Sequence, residues 1–251
     1  MNRLLLALTA ATALTLVAPI AGVTQDMNGQ ASAAKPAKTL EALTAADIDP
    51  IRLLPPPPAD GSDRQKAELA ELRHYQDTRT GGQLDQALWD DEHENASLFI
   101  AVLGPKFDLA TLPQTARLIA VVENDEGIAA SAAKKAFHRH RPWIFDDTLV
   151  GCPRGTAKDP LSSYPSGHGT IGYADGVVLA ALMPDHAADI MARAAEFAES
   201  RLICGVHFRS DIIASEALGT SVGVMLLKSP ALQDQIAAAR AELKAAGLTA
   251  Q

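Results

Sequence analysis

The sequence predicts an all-α protein, and its hydrophobic pattern carries that prediction. In several segments apolar residues recur every three or four positions among charged ones, which is the spacing of a helix with one buried face. No stretch shows the period-two alternation of β-branched and polar residues that marks a half-buried strand. Residues that begin and end helices fall between the apolar segments. We therefore expect a single domain built as a helical bundle.

The helices follow one another almost without interruption after residue 62. An amphipathic helix is predicted at 63–79, and the same pattern continues at 83–103. The longest helix begins near Pro113, because proline is favoured in a first turn, and it stops before Pro142, which cannot continue a helix. Later helices are predicted at 170–183, 185–202, 210–227 and 230–246.

The N-terminus has the features of an export signal. Arg3 provides a basic start, Leu4–Val17 is an uncharged apolar run, and small residues follow up to Ala33. The apolar run, about 14 residues, is shorter than the roughly 20 that a transmembrane helix needs. We expect cleavage near Ala33, with Ala21 as the alternative, and a periplasmic or secreted product.

Three regions follow from this organisation. Residues 1–33 form the signal peptide, residues 34–62 an extended N-terminal segment, and residues 63–251 the helical domain. The middle region contains the sequence LLPPPPADGSD, whose run of prolines excludes a helix. No later segment looks long and uninterrupted enough to cross a bilayer, so we expect no stable membrane anchor.

The charge balance argues against general nucleic-acid binding. The chain has 30 Asp and Glu against 22 Lys and Arg, which gives a formal net charge of -8 at pH 7. Binding to nucleic acid depends on clustered Lys and Arg that neutralise phosphates. Any cationic site must therefore be local.

The two cysteines, Cys152 and Cys204, are expected to form a disulfide. An even pair in an exported protein is more often bridged than free. The alternative is a pair of buried thiols.

Three local clusters combine cations with histidines. In KKAFHRHRPW, at 134–143, a continuous helix would place Lys134, His138 and Arg141 on one face. Read alone, this cluster is equally a solvated basic helix end. We expect His138 and His140 to pack behind any site rather than to act in it.

The second cluster is SSYPSGH at 162–168. Ser166 offers a hydroxyl and Gly167 an unhindered backbone N–H just before a predicted helix, which is a typical anion-binding arrangement. His168 stands at its edge. The local alternative is an ordinary turn that starts a helix.

The third cluster is SRLICGVHFRSD at 200–211, which contains Arg201. If 207–211 is helical, Asp211 can accept the Nδ1–H of His207 and leave the Nε2 lone pair free for nucleophilic or basic chemistry. A purely structural His–Asp pair is the alternative.

Together the three clusters resemble the bacterial class A non-specific acid phosphatases, a family of the type 2 phosphatidic acid phosphatase and vanadium haloperoxidase superfamily. The signature of that superfamily is Lys-x6-Arg-Pro, Pro-Ser-Gly-His and Ser-Arg-x5-His-x3-Asp. The chain matches each fixed position in order. The matching residues are Lys134, Arg141, Pro142, Pro165, Ser166, Gly167, His168, Ser200, Arg201, His207 and Asp211. The likeness extends over about residues 50–228, with departures at Phe208, where Trp is expected, and Gly169, where Thr is common.

The resemblance implies a helical bundle of the superfamily's kind and a role for each motif residue. Lys134, Arg141, Arg201, Ser166 and Gly167 would bind the phosphoryl oxygens. His207, oriented by Asp211, would attack phosphorus and form a phosphohistidine. His168 would protonate the leaving alcohol and then activate water, which implies an acidic optimum.

The implied partners are small-molecule phosphate monoesters, hydrolysed with broad specificity. We expect no metal and no cofactor, because the cations replace a metal ion and no His/Asp cluster has metal-ligand spacing. Related enzymes often form homo-oligomers, which leaves self-association open. The alternatives are a vanadate-dependent haloperoxidase-like enzyme and a non-catalytic phosphate-binding protein; a lipid phosphatase is disfavoured by the missing membrane spans.

Overall fold

The structure, a computed structural model, describes residues 38–152 and 159–250, and within these ranges it contains helices and connecting segments but no β-strand. The all-α prediction is confirmed. The predicted signal peptide lies outside the described residues. The helices are α1 (Pro50–Leu53), α2 (Asp63–Thr78), α3 (Gly81–Glu92), α4 (Ile100–Leu103), α5 (Pro113–Phe137), α6 (Gly167–Leu182), α7 (Ala187–Ile203), α8 (Arg209–Lys228) and α9 (Gln233–Ala245).

Helix α6 is the centre of the bundle. It is apolar on nearly all sides and buried along most of its length, as expected of a helix surrounded by others. Its largest contacts are with α8 and α7, followed by α5. Glycines on α8 permit the close approach to α6: a Cβ on Gly219 would lie 2.4 Å from the carbonyl oxygen of Thr170.

The predicted helix at 83–103 is interrupted. α3 ends at Glu92, the chain makes a 3-10 turn at Ala96–Phe99, and α4 adds one further turn. The side chain of Asn95 accepts the N–H of Ser97 and begins the 3-10 turn, whose Leu98 and Phe99 are buried. This interruption leaves residues 93–95 as an irregular connection beside the start of α6.

The described part of the N-terminal segment, 38–62, packs on the bundle. Asp125 of α5 accepts the backbone N–H groups of residues 41, 42 and 43 at 2.8–2.9 Å. The Tyr164 hydroxyl donates to the carbonyl of Pro55 at 2.7 Å. The segment makes turns at 45–48 and 60–61 and contains the short helix α1, where Pro50 occupies the first turn and Asp49 caps the helix.

One described helix differs from the expectation about membrane spans. By length and composition α8 is long and apolar enough to cross a bilayer. We had predicted no such segment after the signal peptide. More than half of its apolar stretch is buried inside the protein. Packing against α6 accounts for this apolar composition.

We expect Gly219→Ala to destabilise the fold. The added Cβ would meet backbone of α6, and such overpacking costs about 1–3 kcal/mol. The matched control is Gly82→Ala in α3, where a Cβ meets no atom within 4 Å of the described structure. Thermal unfolding should show a lower Tm for Gly219→Ala and an unchanged or slightly higher Tm for Gly82→Ala. Equal Tm values for the two variants would contradict close α6–α8 contact.

Candidate active site

The three clusters meet at one cavity of about 340 Å³. It lies at the start of α6, between the ends of α5 and α7. The lining residues are Glu94, Lys134, Arg141, Asp159, Ser162, Gly167, His168, Arg201, Val206 and His207. Six of the eight predicted catalytic and phosphate-binding residues line this cavity. A seventh, Asp211, contacts the lining residue His207.

Lys134 and Arg141 reach the cavity from different elements, so their predicted common helical face is wrong. α5 ends at Phe137, and His138 takes the left-handed conformation with φ of 47°. Arg141 is extended, as the residue before a proline tends to be. His138 is exposed rather than packed behind the site, and His140 pairs with Asp60 at 2.6 Å.

The surroundings of Lys134 disfavour its positive charge. Its Nζ donates to the carbonyl of Ser162 at 2.7 Å. Burial and the nearby Arg141 lower the pKa of Lys134 to about 7. Lys134 therefore exchanges its proton near neutral pH, well below the usual range of lysine.

Arg141 is fixed by the segment that carries the nucleophile candidate. Its Nη1 donates to the carbonyl of Val206 at 2.8 Å and lies 2.7 Å from Nε2 of His207. Burial lowers the pKa of Arg141 to about 10, so it stays charged at acidic and neutral pH. Arg201 enters from the last turn of α7 and pairs with Asp91 of α3 at 2.7 Å.

His207 and Asp211 form the predicted pair, although His207 precedes the helix rather than lying in it. α8 begins at Arg209, and Nδ1 of His207 lies 3.3 Å from Oδ2 of Asp211. Nδ1–H donates to Asp211, and Nε2 accepts from Arg141, which assigns the tautomer with the lone pair on Nε2. Burial, together with Arg141, Lys134 and Arg201, holds the pKa of His207 well below its ordinary value. The imidazole is neutral.

Arg139 is a buried residue that the sequence reading missed. Its guanidinium donates to Asp211 at 2.6 Å and to Ser210 at 2.6 Å, and it pairs with Glu68 at 3.1 Å. It also lies 4.3 Å above the ring of Phe208. Arg139 thus holds the carboxylate that orients His207. The motif marks Lys134 and Arg141 but not the residue between them, so no spacing signal identified it.

The start of α6 differs from the expectation at Ser166. Its hydroxyl accepts the N–H of Gly169 at 3.2 Å, and the residue is fully buried and absent from the cavity lining. Ser166 therefore caps the helix, while Gly167 lines the cavity. The N-terminus of α6 at Gly167 therefore faces the cavity, where its dipole favours a negative charge.

His168 is flanked by two acidic residues that the sequence reading did not single out. Its Nδ1 lies 3.0 Å from Oε1 of Glu94, and its Nε2 lies 3.3 Å from the carbonyl oxygen of Asp91. Its ring stacks near Phe197 at 5.6 Å. Burial alone would raise the pKa of Glu94, but the hydrogen bond with His168 and the nearby cations outweigh it and keep that pKa below its ordinary value.

Cys152 and Cys204 form a disulfide in the structure, with their Cα atoms 4.8 Å apart. Cys204 follows α7 directly and lies three residues before His207. The bond therefore ties the loop between Arg201 and His207 to the segment that follows the 3-10 turn at Pro142–Ile144.

Within residues 38–152 and 159–250, no three His, Cys, Asp or Glu side chains are arranged to hold a metal ion. The charged groups that line the cavity are the three cations Lys134, Arg141 and Arg201 and the two carboxylates Glu94 and Asp159.

The arrangement of these residues has a known counterpart. The family model described as the PAP2 superfamily matches residues 118–233, a range that contains all three motifs. An acid phosphatase of Zymomonas mobilis is 30% identical over 91% of this chain and 87% of its own length. The chain belongs to the PAP2 superfamily, among the non-specific acid phosphatases. A non-specific acid phosphatase of Providencia stuartii is 32% identical over 78% of this chain and 81% of its own.

Solved PAP2 structures share the fold. A phosphatidylglycerolphosphate phosphatase from Bacillus subtilis aligns with a TM-score of 0.50 at 16% identity, over 67% of this chain and 87% of its own. LpxE from Aquifex aeolicus aligns with a TM-score of 0.51 at 18% identity, over 67% of this chain and 97% of its own.

The two departures from the PAP2 pattern noted in the sequence lie outside the cavity lining. Phe208 is fully buried beneath Arg139. A Cβ on Gly169 would lie 2.7 Å from the Cβ of Ser215 on α8, so the small residue allows a close contact between two helices. Both departures therefore concern packing behind the site.

We predict that anion affinity falls as pH rises through about 7, where Lys134 loses its proton. Sulfate is a suitable probe because its charge is constant in this range. Its inhibition constant should rise towards tenfold per pH unit above the Lys134 pKa, as expected when binding requires one proton. Lys134→Arg keeps the charge and should flatten this dependence. An equally steep dependence in the arginine variant would contradict the assignment to Lys134.

Proposed function

We propose that this protein is an exported acid phosphatase that hydrolyses a broad range of phosphate monoesters to alcohol and inorganic phosphate. We further propose that the reaction passes through a phosphohistidine and needs no metal ion. Membership of the acid phosphatases makes the chain a phosphoric monoester hydrolase. The observation that carries the mechanism is the neutral His207, whose Nε2 lone pair faces a cavity lined by three cations.

Binding of the phosphoryl group rests on charge and positioning. Lys134, Arg141 and Arg201 supply donors from three separate elements, so they can contact different oxygens of one phosphate. The N-terminus of α6 at Gly167 adds a positive dipole end. Phosphoryl transfer depends mainly on such positioning and on stabilising the charge of the oxygens.

His207 is the proposed nucleophile. Its Nε2 forms a bond to phosphorus as the bond from phosphorus to the ester oxygen breaks. Arg141 donates to the same Nε2, and phosphate oxygens would compete for that donor and free the lone pair. Asp211 accepts Nδ1–H and stabilises the positive charge that the ring acquires.

His168 is the proposed acid. It gives a proton to the departing ester oxygen, which leaves as the alcohol, and so becomes neutral. It then takes a proton from a water molecule that attacks the phosphohistidine, which releases inorganic phosphate and restores both histidines. The acid must begin protonated while the nucleophile is neutral, and the low pKa of His207 permits both at acidic pH.

Three further features support the remaining parts of the proposal. The cations around the cavity supply the positive charge that a metal ion supplies in other phosphatases. Six of the ten lining residues are assigned to phosphoryl binding or transfer, which leaves four side chains of different chemistry to contact an alcohol. The signal-like N-terminus and the Cys152–Cys204 disulfide fit an oxidising compartment.

We expect His207→Ala to abolish hydrolysis of p-nitrophenyl phosphate. The loss should reach about 10³-fold or more in kcat, because catalytic residues act together and the loss of the nucleophile alone disables the reaction. Wild-type activity should persist in EDTA. Rapid alkaline quenching with labelled substrate should trap an acid-labile phosphoenzyme in the wild type only.

The matched control is His74→Ala, which removes an exposed imidazole from α2. It should keep wild-type turnover. Full activity of His207→Ala would refute the phosphohistidine, and loss of wild-type activity in EDTA would refute metal independence. Phosphate binding without turnover in the wild type would favour a non-catalytic binding protein.

A further inference from the structure

Glu94 is the one carboxylate that both lines the cavity and contacts a proposed catalytic imidazole within the described residues. It belongs to the irregular connection that follows α3, and its side chain is 48% exposed. Its Oε1 lies 3.0 Å from Nδ1 of His168. A Cβ at position 167 would lie 3.1 Å from the same oxygen, so the glycine of the motif leaves room for this contact.

The two nitrogens of His168 face two acceptors. Nδ1 faces the Glu94 carboxylate, and Nε2 faces the backbone carbonyl of Asp91 at 3.3 Å. A neutral imidazole has a hydrogen on only one nitrogen and would leave one acceptor facing a lone pair. Only the imidazolium donates to both. The imidazolium, which is the form that an acid needs, is therefore held by a hydrogen bond on each nitrogen.

Other charged groups face the same imidazole or its carboxylate partner. The carboxylate of Asp91 lies 4.0 Å from Nε2 of His168, but Asp91 is also paired with Arg201. Lys134, Arg201 and His207 line the same cavity and lie close enough to act electrostatically on this pair. Since the cations oppose a positive His168 and Asp91 is already neutralised by Arg201, Glu94 supplies the main compensating charge.

We propose that Glu94 is a positioning residue that holds the His168 imidazole by a charge-assisted hydrogen bond, with Nδ1–H directed at the carboxylate, for its role as the acid. This inference rests on the proposed function, because it requires His168 to protonate the leaving alcohol. The low pKa of Glu94 means that the carboxylate is charged under acidic conditions. Its exposure allows it to move aside when the ester oxygen approaches Nδ1–H.

Leaving groups provide the test. Ethyl phosphate releases an alkoxide that must be protonated, whereas 2,4-dinitrophenyl phosphate releases an anion that needs no acid. The value of kcat/KM is compared because it reports the first transfer and is unaffected by slow hydrolysis of the phosphoenzyme. In Glu94→Gln, kcat/KM for ethyl phosphate should fall on the order of tenfold, part of the 10²–10⁴ that a general acid contributes. The value for the dinitrophenyl ester should remain within about threefold, since no acid acts on it.

The comparison of the two esters separates a positioning role from a structural one. A residue that only supported the fold would lower kcat/KM equally for both esters. Glu92→Gln is the matched control, since it removes an exposed carboxylate two residues away. It should match the wild type.

Each outcome has a definite meaning. Glu94→Gln behaving like Glu92→Gln, while His168→Ala shows the selective loss on ethyl phosphate, overturns the inference and leaves the proposed function intact. A rise in kcat/KM for both esters in Glu94→Gln also overturns it, since the carboxylate would then obstruct phosphate. Absence of leaving-group selectivity in His168→Ala overturns the acid role itself. If Glu94→Gln does not fold, Glu94→Asp carries the test, because its shorter carboxylate should give a smaller loss of the same selectivity.

Discussion

The carboxylate of Asp211 connects the elements on which the site depends. One oxygen accepts from Arg139 at 2.6 Å; the other accepts from the Ser163 hydroxyl at 2.6 Å, the Phe208 N–H at 2.8 Å and His207 at 3.3 Å. The segment after α5, the loop before α6 and the start of α8 thus share one buried anion. Removal of such an anion would leave the Arg139 guanidinium buried with Glu68 as its remaining ion-pair partner, which is costly in a low-dielectric interior. The geometry of the nucleophile therefore follows from the fold.

A second constraint is the burial of positive charge in an acidic protein. Burial lowers the pKa values of Lys134, Arg141 and Arg201, and repulsion from the neighbouring cations lowers those of Lys134 and Arg141 further. Burial and the same three cations lower the pKa of His207, so the nucleophile is held in its neutral, reactive form. A phosphate dianion bound among them would relieve the repulsion. The cavity is electrostatically prepared for an anion, which is consistent with catalysis by positioned charge.

The sequence predicts the residues that line the site better than it predicts the residues that hold them in place. The fold class follows from helical periodicity, and the motif residues identify His168, His207 and the three cations because their fixed spacings are readable along the chain. The boundary of α5 was mispredicted, because proline at 142 limits the helix but a left-handed residue at 138 ends it earlier. Arg139 and Glu94 could not be identified, since both act from irregular segments whose paths depend on tertiary contacts. Ser166 was placed in the phosphate site because its neighbours suggested an anion-binding loop; its burial is a property of α6 packing.

The two histidines are held by carboxylates of different character, and the difference matches what the proposed reaction demands. Asp211 is fully buried and saturated with donors, so His207 is fixed in one orientation and one tautomer. Glu94 is half-exposed on a short connection, so its contact with His168 can exchange with solvent or substrate. A nucleophile gains from rigidity, because attack requires a lone pair aligned with the breaking bond. An acid that becomes a base must lose and regain a proton in each turnover, and that step requires access to water. His207 is therefore held rigidly for the attack, whereas the carboxylate partner of His168 lies where solvent and substrate can reach it.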